Sequence, residues 1–331
     1  EALPIEYQPT PAYQDLFRHS LTEHRRQVAL HVATAAERIW TARAGNPVLV
    51  SLARAGTPVG VLIRRYIART YGADVPHYAV SIVRGKGIDS NALSYIAAHH
   101  NAADAVFVDG WTGKGAISRE LAVAVIDHNA HTGDRFSSDL AVLADPGRCA
   151  AISGTRDDYL IPSAALNSTV SGLVSRTVLR DDLIGPGDFH GAKFYRDLAV
   201  ADVTMTFIDE VSAEFDDALV TAAREAAAQP AEAADWGGWD AVERISDEYG
   251  IGSVNLVKPG VGETTRVLLR RVPWKVLVRA GATAEVAHIR LLAEDRGVPV
   301  EEVADLPFTA IGLIHPKFTR GATGFDGKAA A

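Results

Sequence analysis

The chain has 331 residues, 47% of them apolar and 22% charged, more than one typical domain needs and enough for a sizeable core. Its net charge is −8, yet residues 251–331 carry 11 Lys and Arg against 8 Asp and Glu, so a mildly basic end (+3) follows a body near −11. No apolar run is long enough for a membrane helix, no signal-peptide pattern opens the chain, and the lone Cys149 excludes a disulfide framework or multi-cysteine zinc site. A reducing cytoplasm with no membrane partner is expected, and an oligomer stays open.

The segment from Gln14 to Ala44 has helical spacing rich in Arg and His, which predicts a covering helix. NPVLVSLARAG then gives an apolar run from Val48 to Leu52, a small-residue turn and a helical pattern from Pro58 to Tyr71. The order recurs: a strand from His77 to Val83, a helix from Asn91 to Asn101, a strand from Ala105 to Val108 and a helix from Ala116. Such alternation predicts βαβ units and a mainly parallel sheet, with ligands beyond the carboxyl ends of its strands. Leu140 to Ala144 and Cys149 to Ser153 offer one or two further strands. From Asp157 to Tyr195 the chain turns rich in Ser, Thr, Gly and Asn, and residues 205–228 read as a strand edge leading into an Ala/Glu helix. QPAEAADWGGWD breaks periodicity and predicts a linker over about 229–240, separating a body of residues 1–228 from a small α/β unit of residues 241–331. In that unit a helix near Ala241 to Tyr249 precedes NLVKPGVGETTRVLLRR. Then come a strand in WKVLVRAG, a helix from Ala284 to Arg296 and a strand near Val298 to Val303.

Three loops carry residues suited to phosphate chemistry. VDGWTGKG places Asp109 at a strand end, followed by Thr112, Gly113, Lys114, Gly115 and Ala116. The glycines let backbone N–H groups approach an anion, Thr112 adds a hydroxyl, Lys114 a charge, and Asp109 suits Mg²⁺ or ribose hydroxyls. It is not a P-loop. SLARAGTP sets Arg54 among small residues at a strand end, a charge that calls for an anion. VRGKGID offers Arg84 and Lys86 as a cationic flap.

Together these loops resemble the type I phosphoribosyltransferases. In that family a loop after the first core strand, often with a non-proline cis peptide, binds pyrophosphate, and an acidic-then-Thr-Gly loop cradles ribose 5-phosphate. The resemblance implies Ser51, Arg54, Ala55 and Gly56 at pyrophosphate, Asp109, Thr112, Gly113, Lys114, Gly115 and Ala116 at the sugar phosphate with Asp109 on the metal, and Arg84 with Lys86 in the flap. Arg54, Lys86 and Asp109 would be the catalytic set, with Mg²⁺ as cofactor. Gly110 replaces the second acid usual in the family, and the spacer before Thr-Gly is short. With DYLIPSAALNSTVSGLVSRT and HGAKFY added, the resemblance narrows to the phosphoribosyltransferase-like proteins of bacterial tellurium-resistance and stress operons, also labelled cysteine protease StiP, over roughly residues 20–225. It implies an α/β parallel sheet with a hood at about 155–200. It also implies a transferase joining phosphoribosyl diphosphate to a small base-like acceptor, with Ser163, Asn167, Ser171, Arg176, His190 and Lys193 in the hood meeting that acceptor.

Two other readings stand beside it. One is a nucleotide sensor without turnover that engages RNA. The other is a cysteine protease using Cys149 with His128, His131 or His190, under which Cys149 must be a thiolate beside a base. The run GVGETTRVLLRRVPWKVLVRAG resembles the Pelota-type and kink-turn-binding ribosomal protein domain, implying RNA contacts by Gly260, Glu263, Arg266, Arg270 and Arg271, with Lys258 and Lys275 near phosphates. Gly262 stands where that pattern usually has asparagine.

Overall fold

The computed structural model describes residues 9–230 and 232–317, apart from the side chains of residues 175 and 176. Helix α1 (Pro11–Ala42) starts with proline in its first turn, where the missing N–H has no partner to lose. It is followed by β1 (Val48–Ala53), α2 (Gly56–Tyr71), β2 (His77–Val83), β3 (Gly87–Ile88), α3 (Ser90–His99), β4 (Ala105–Trp111), α4 (Ala116–Thr132), β5 (Leu140–Ala144) and β6 (Ile152–Thr155). These strands form one sheet in the order β3-β2-β1-β4-β5-β6, parallel except at β2–β3. Alternation sorts the side chains: Leu49, Val106, Val108, Ala141 and Leu143 join the core under α1 and α2, whereas Val48, Val50, Leu52, Phe107, Leu140 and Val142 join the core on the α3 and α4 side. Winding reverses between β1 and β4, which puts a crevice beyond their carboxyl ends.

An antiparallel hairpin, β7 (Val174–Val178) and β8 (Gly191–Phe194), stands at the β2 edge, tied there by Ser81 Oγ and Thr177 Oγ1 at 2.7 Å. Residues 205–228 hold no strand but two helices, α5 (Thr204–Ser212) and α6 (Asp217–Ala228), because Phe207, Ile208 and Val211 recur at helical rather than alternating spacing and are buried together. The strand expected from Cys149 begins only at Ile152, since the Asp145 carboxylate accepts from the N–H groups of Cys149 (2.9 Å) and Ala150 (2.7 Å) and holds both in a turn.

Beyond this body come α7 (Gly237–Glu248), β9 (Val257–Pro259), α8 (Val261–Arg270), β10 (Lys275–Arg279), α9 (Ala287–Asp295), β11 (Val300–Val303) and β12 (Ala310–Leu313). Their sheet, ordered β11-β10-β12-β9, is mixed, with only β10–β11 parallel. The apolar core under α1 continues through Tyr159, Leu160 and Ile161 into Val261, Leu268 and Val276, so the small sheet is packed onto the body. The stretch before α7 is not a free tether. Arg148 pairs with Glu232 (2.9 Å) and Asp235 (2.8 Å), and the Gly238 N–H donates to the Gly147 carbonyl at 2.9 Å. Among the described residues no helix is long and apolar enough to cross a membrane.

Candidate functional site

The loops after β1 and β4 lie side by side at the crevice. Gly56 packs against the backbone of Val108 and Asp109, and Ala55 against Gly110, contacts that only glycine-lined turns permit. Arg54 follows a cis peptide from Ala53 and lines a cavity of about 450 Å³ between β2, α3 and the hairpin. Ser51 is fully buried, its Oγ bonded to His77 Nε2 at 2.8 Å, so it serves the sheet and not the crevice. Burial lowers His77 to about 4, which keeps that ring neutral.

The Asp109 carboxylate takes the Gly110 N–H at 2.7 Å, and burial still raises it to about 7. Among the described residues no three His, Cys, Asp or Glu side chains converge on a metal position. A lone carboxylate holds Mg²⁺ only together with substrate phosphates, so the donors present do not by themselves fit the ion.

The Thr112 loop is engaged from outside the body. Thr112 is buried, and its Oγ1 accepts the Gly115 N–H at 3.0 Å. Gly113 abuts Pro259, whose carbonyl would sit 2.9 Å from any β-carbon there. Lys114 Nζ donates to the carbonyls of Val254 (2.5 Å) and Val257 (3.0 Å). Burial, helped by Lys258 and Arg84, lowers Lys114 to about 7. Gly115, left-handed at φ 73°, starts α4 beneath Trp236 and Cys149, and Ala116 is the first helical residue. Arg84 reaches across to Asn255 Oδ1 at 2.6 Å, while Lys86 beside it is exposed.

Of the hood residues, Ser171 and His190 line the cavity. His190 is fixed there by Ser81 Oγ (3.1 Å) and by its own N–H on Asp89 (2.6 Å). Asn167 instead accepts the Thr169 N–H, Ser163 is buried, and Lys193 lies over the Tyr195 ring at 5.7 Å. The Arg176 side chain lies outside the described residues.

In the C-terminal elements, Gly260 at φ 93° and Gly262 face inward, against Asp158 and Ala164. Asp158 Oδ1 accepts the Val261 N–H and Oδ2 the Thr309 N–H, both at 2.8 Å, so a body carboxylate caps α8. Arg266 sits 5.8 Å from the Trp111 ring, and Arg270 and Arg271 are exposed at the end of α8. Burial lowers Lys258, and Arg271, Arg84 and Arg266 lower it further against the opposing pull of Glu263. Asp158 and Asn255 escaped sequence reasoning: each acts through a partner about a hundred residues or more away in the chain, and no local pattern marks it.

Cys149 is buried, and its Sγ donates to the Gly147 carbonyl at 3.0 Å. Burial, then the Asp145 carboxylate, pushes the thiol up to about 12. Among the described residues no histidine is hydrogen-bonded to it. His128 instead pairs with Ser90 and Asp134, and His131 bonds the Asp127 carbonyl.

Residues 1–212 match the family described as tellurite-like stress resistance cysteine protease StiP, and residues 236–316 match the PELOTA RNA binding domain. A protein of Acinetobacter baylyi named cysteine protease StiP is 33% identical over 330 residues, covering 95% of this chain and 84% of that protein. These names overturn the pentosyltransferase expectation, and with it phosphoribosyl diphosphate and a base-like acceptor as substrates. Thr112 accepts from Gly115 and Lys114 donates to Val254 and Val257, while Arg54 lines a cavity that includes neither.

Proposed function

Because the chain belongs to the StiP family of tellurite-like stress resistance proteins and carries an RNA-binding domain behind its family region, we propose that it binds structured RNA through the C-terminal elements. The observation that carries this reading is the match over residues 236–316, supported by exposed Arg270 and Arg271 at the end of α8 and by Lys258 on β9. Phosphate contacts by such cations supply most of the affinity for RNA and are sequence-independent. The division that goes with it is a body of residues 1–228, a linker of 229–240 and an RNA-binding unit of 241–331. The body is phosphoribosyltransferase-like in scaffold alone, a reading supported by its strand order and by the hairpin over the β2 edge. The setting is cytoplasmic, in keeping with a single unpaired cysteine.

The experiment is fluorescence anisotropy of a labelled RNA hairpin with an internal bulge, titrated with the full chain at about 50 mM salt. Binding in the micromolar range or tighter is expected, and Arg270→Glu/Arg271→Glu should weaken it about tenfold or more. An RNA that stays unbound at every concentration refutes the reading.

A second reading comes with the family's name: hydrolysis of peptides by a thiolate. Its support in this chain is the place of Cys149, whose Sγ would lie 3.0 Å from a β-carbon on Gly115 at the positive end of α4. Against it stand the buried, bonded thiol and the Trp236 ring over the same turn. At pH 8 the native protein should be alkylated by iodoacetamide at least about tenfold more slowly than the unfolded chain. Rapid stoichiometric labelling of native Cys149 by an epoxysuccinyl inhibitor would favour the peptidase.

A further inference from the structure

Five cations gather where the body meets the C-terminal elements. Arg84 and Lys114 come from the loops after β2 and β4, and Lys258, Arg266 and Arg271 from β9 and α8. Two contacts fix the gathering in space: Arg84 on Asn255 at 2.6 Å, and Lys114 on the carbonyls of Val254 and Val257. Glu263 is the single carboxylate among the charges acting most strongly on Lys114 and Lys258. Lys86 is exposed on the same β2–β3 loop as Arg84.

Packing like charges together raises their energy unless a counter-anion arrives, and both lysines are held below their ordinary range by burial and by their cationic neighbours. An anion at this cluster reverses that penalty. Arg84, Lys86 and Arg271 are exposed, and Lys114 and Lys258 are half-buried rather than closed off from solvent. A site with exposed cations on two opposed elements fits a run of phosphates better than one small anion.

Resting on the RNA-binding reading above, we infer that RNA phosphates are gripped across the junction, by Arg84 and Lys86 of the body on one side and by Lys258 and Arg271 on the other. The body is then half of the RNA site, and the β2–β3 loop has a task separate from the cavity under the hairpin.

Two variants of the full chain, Arg84→Glu and Lys86→Glu, test this in the same anisotropy titration beside Arg270→Glu/Arg271→Glu, with unfolding midpoints to check the fold. Each body variant should weaken RNA binding about tenfold and lower the salt slope by about one. Lys86→Glu decides if Arg84→Glu fails to fold, because its position is exposed. Body variants that bind like wild type while the α8 variant loses affinity overturn the inference and leave the RNA reading intact. A wild-type chain that binds no RNA removes both.

Discussion

Gly56→Ala is expected to cost about 3 kcal/mol of stability or more, read as a shift of the denaturant midpoint at unchanged slope. A β-carbon at Gly56 would overlap the Val108 carbonyl oxygen and lie 3.0 Å from Asp109 Cα. Both are backbone of the neighbouring strand and cannot rotate away, so α2 or β4 must shift. Gly187→Ala is the control, since nothing lies within 4 Å of its β-carbon position and its φ is not positive. A Gly56 variant as stable as that control would mean that the loops after β1 and β4 are not in contact.

The second large effect is expected at Asp158→Ala. One carboxylate accepts N–H groups from α8 and from the turn before β12, so its loss leaves two donors unpaired at the junction. A cost of about 2 to 4 kcal/mol is expected, with the single unfolding transition splitting as the small sheet releases from the body. Calorimetry checks this: two transitions in the variant against one in wild type. A single unshifted transition would show that the clamp carries no load.

The same carboxylate sets a pH dependence. Burial raises Asp158 to about 6, partly opposed by its N–H partners, against an unfolded value near about 4. The native state therefore holds the proton longer than the unfolded chain. The stability this protonation contributes is fully present below about pH 4 and is lost as pH rises to about 6. Asp158→Asn should abolish that slope.

Much of the body was readable because its strands are uniform apolar runs and its helices follow 3.6-residue spacing. His77–Val83 and Leu140–Ala144 are found where expected. The small sheet was harder to see. Val257–Pro259 is three residues long and ends in proline, so β9 has no periodicity to detect. The loops were found from their glycines and cations, but not their partners. Gly113 and Lys114 suit a phosphate equally well whether or not Pro259 and Val257 cover them, and sequence spacing holds no record of that docking. The RNA turn suffers the same ambiguity. Gly260 matches a surface motif, yet it packs against Asp158, as Gly262 does against Ala164, which leaves the arginines and lysines of the junction as the reachable charges.

The salt dependence of RNA affinity in the wild-type chain probes this most directly. If about four of the junction cations each neutralise a phosphate, the logarithm of the association constant should fall against the logarithm of salt with a slope of about −3 to −4. Affinity indifferent to salt, or no binding even at about 50 mM, would contradict an RNA site at the junction.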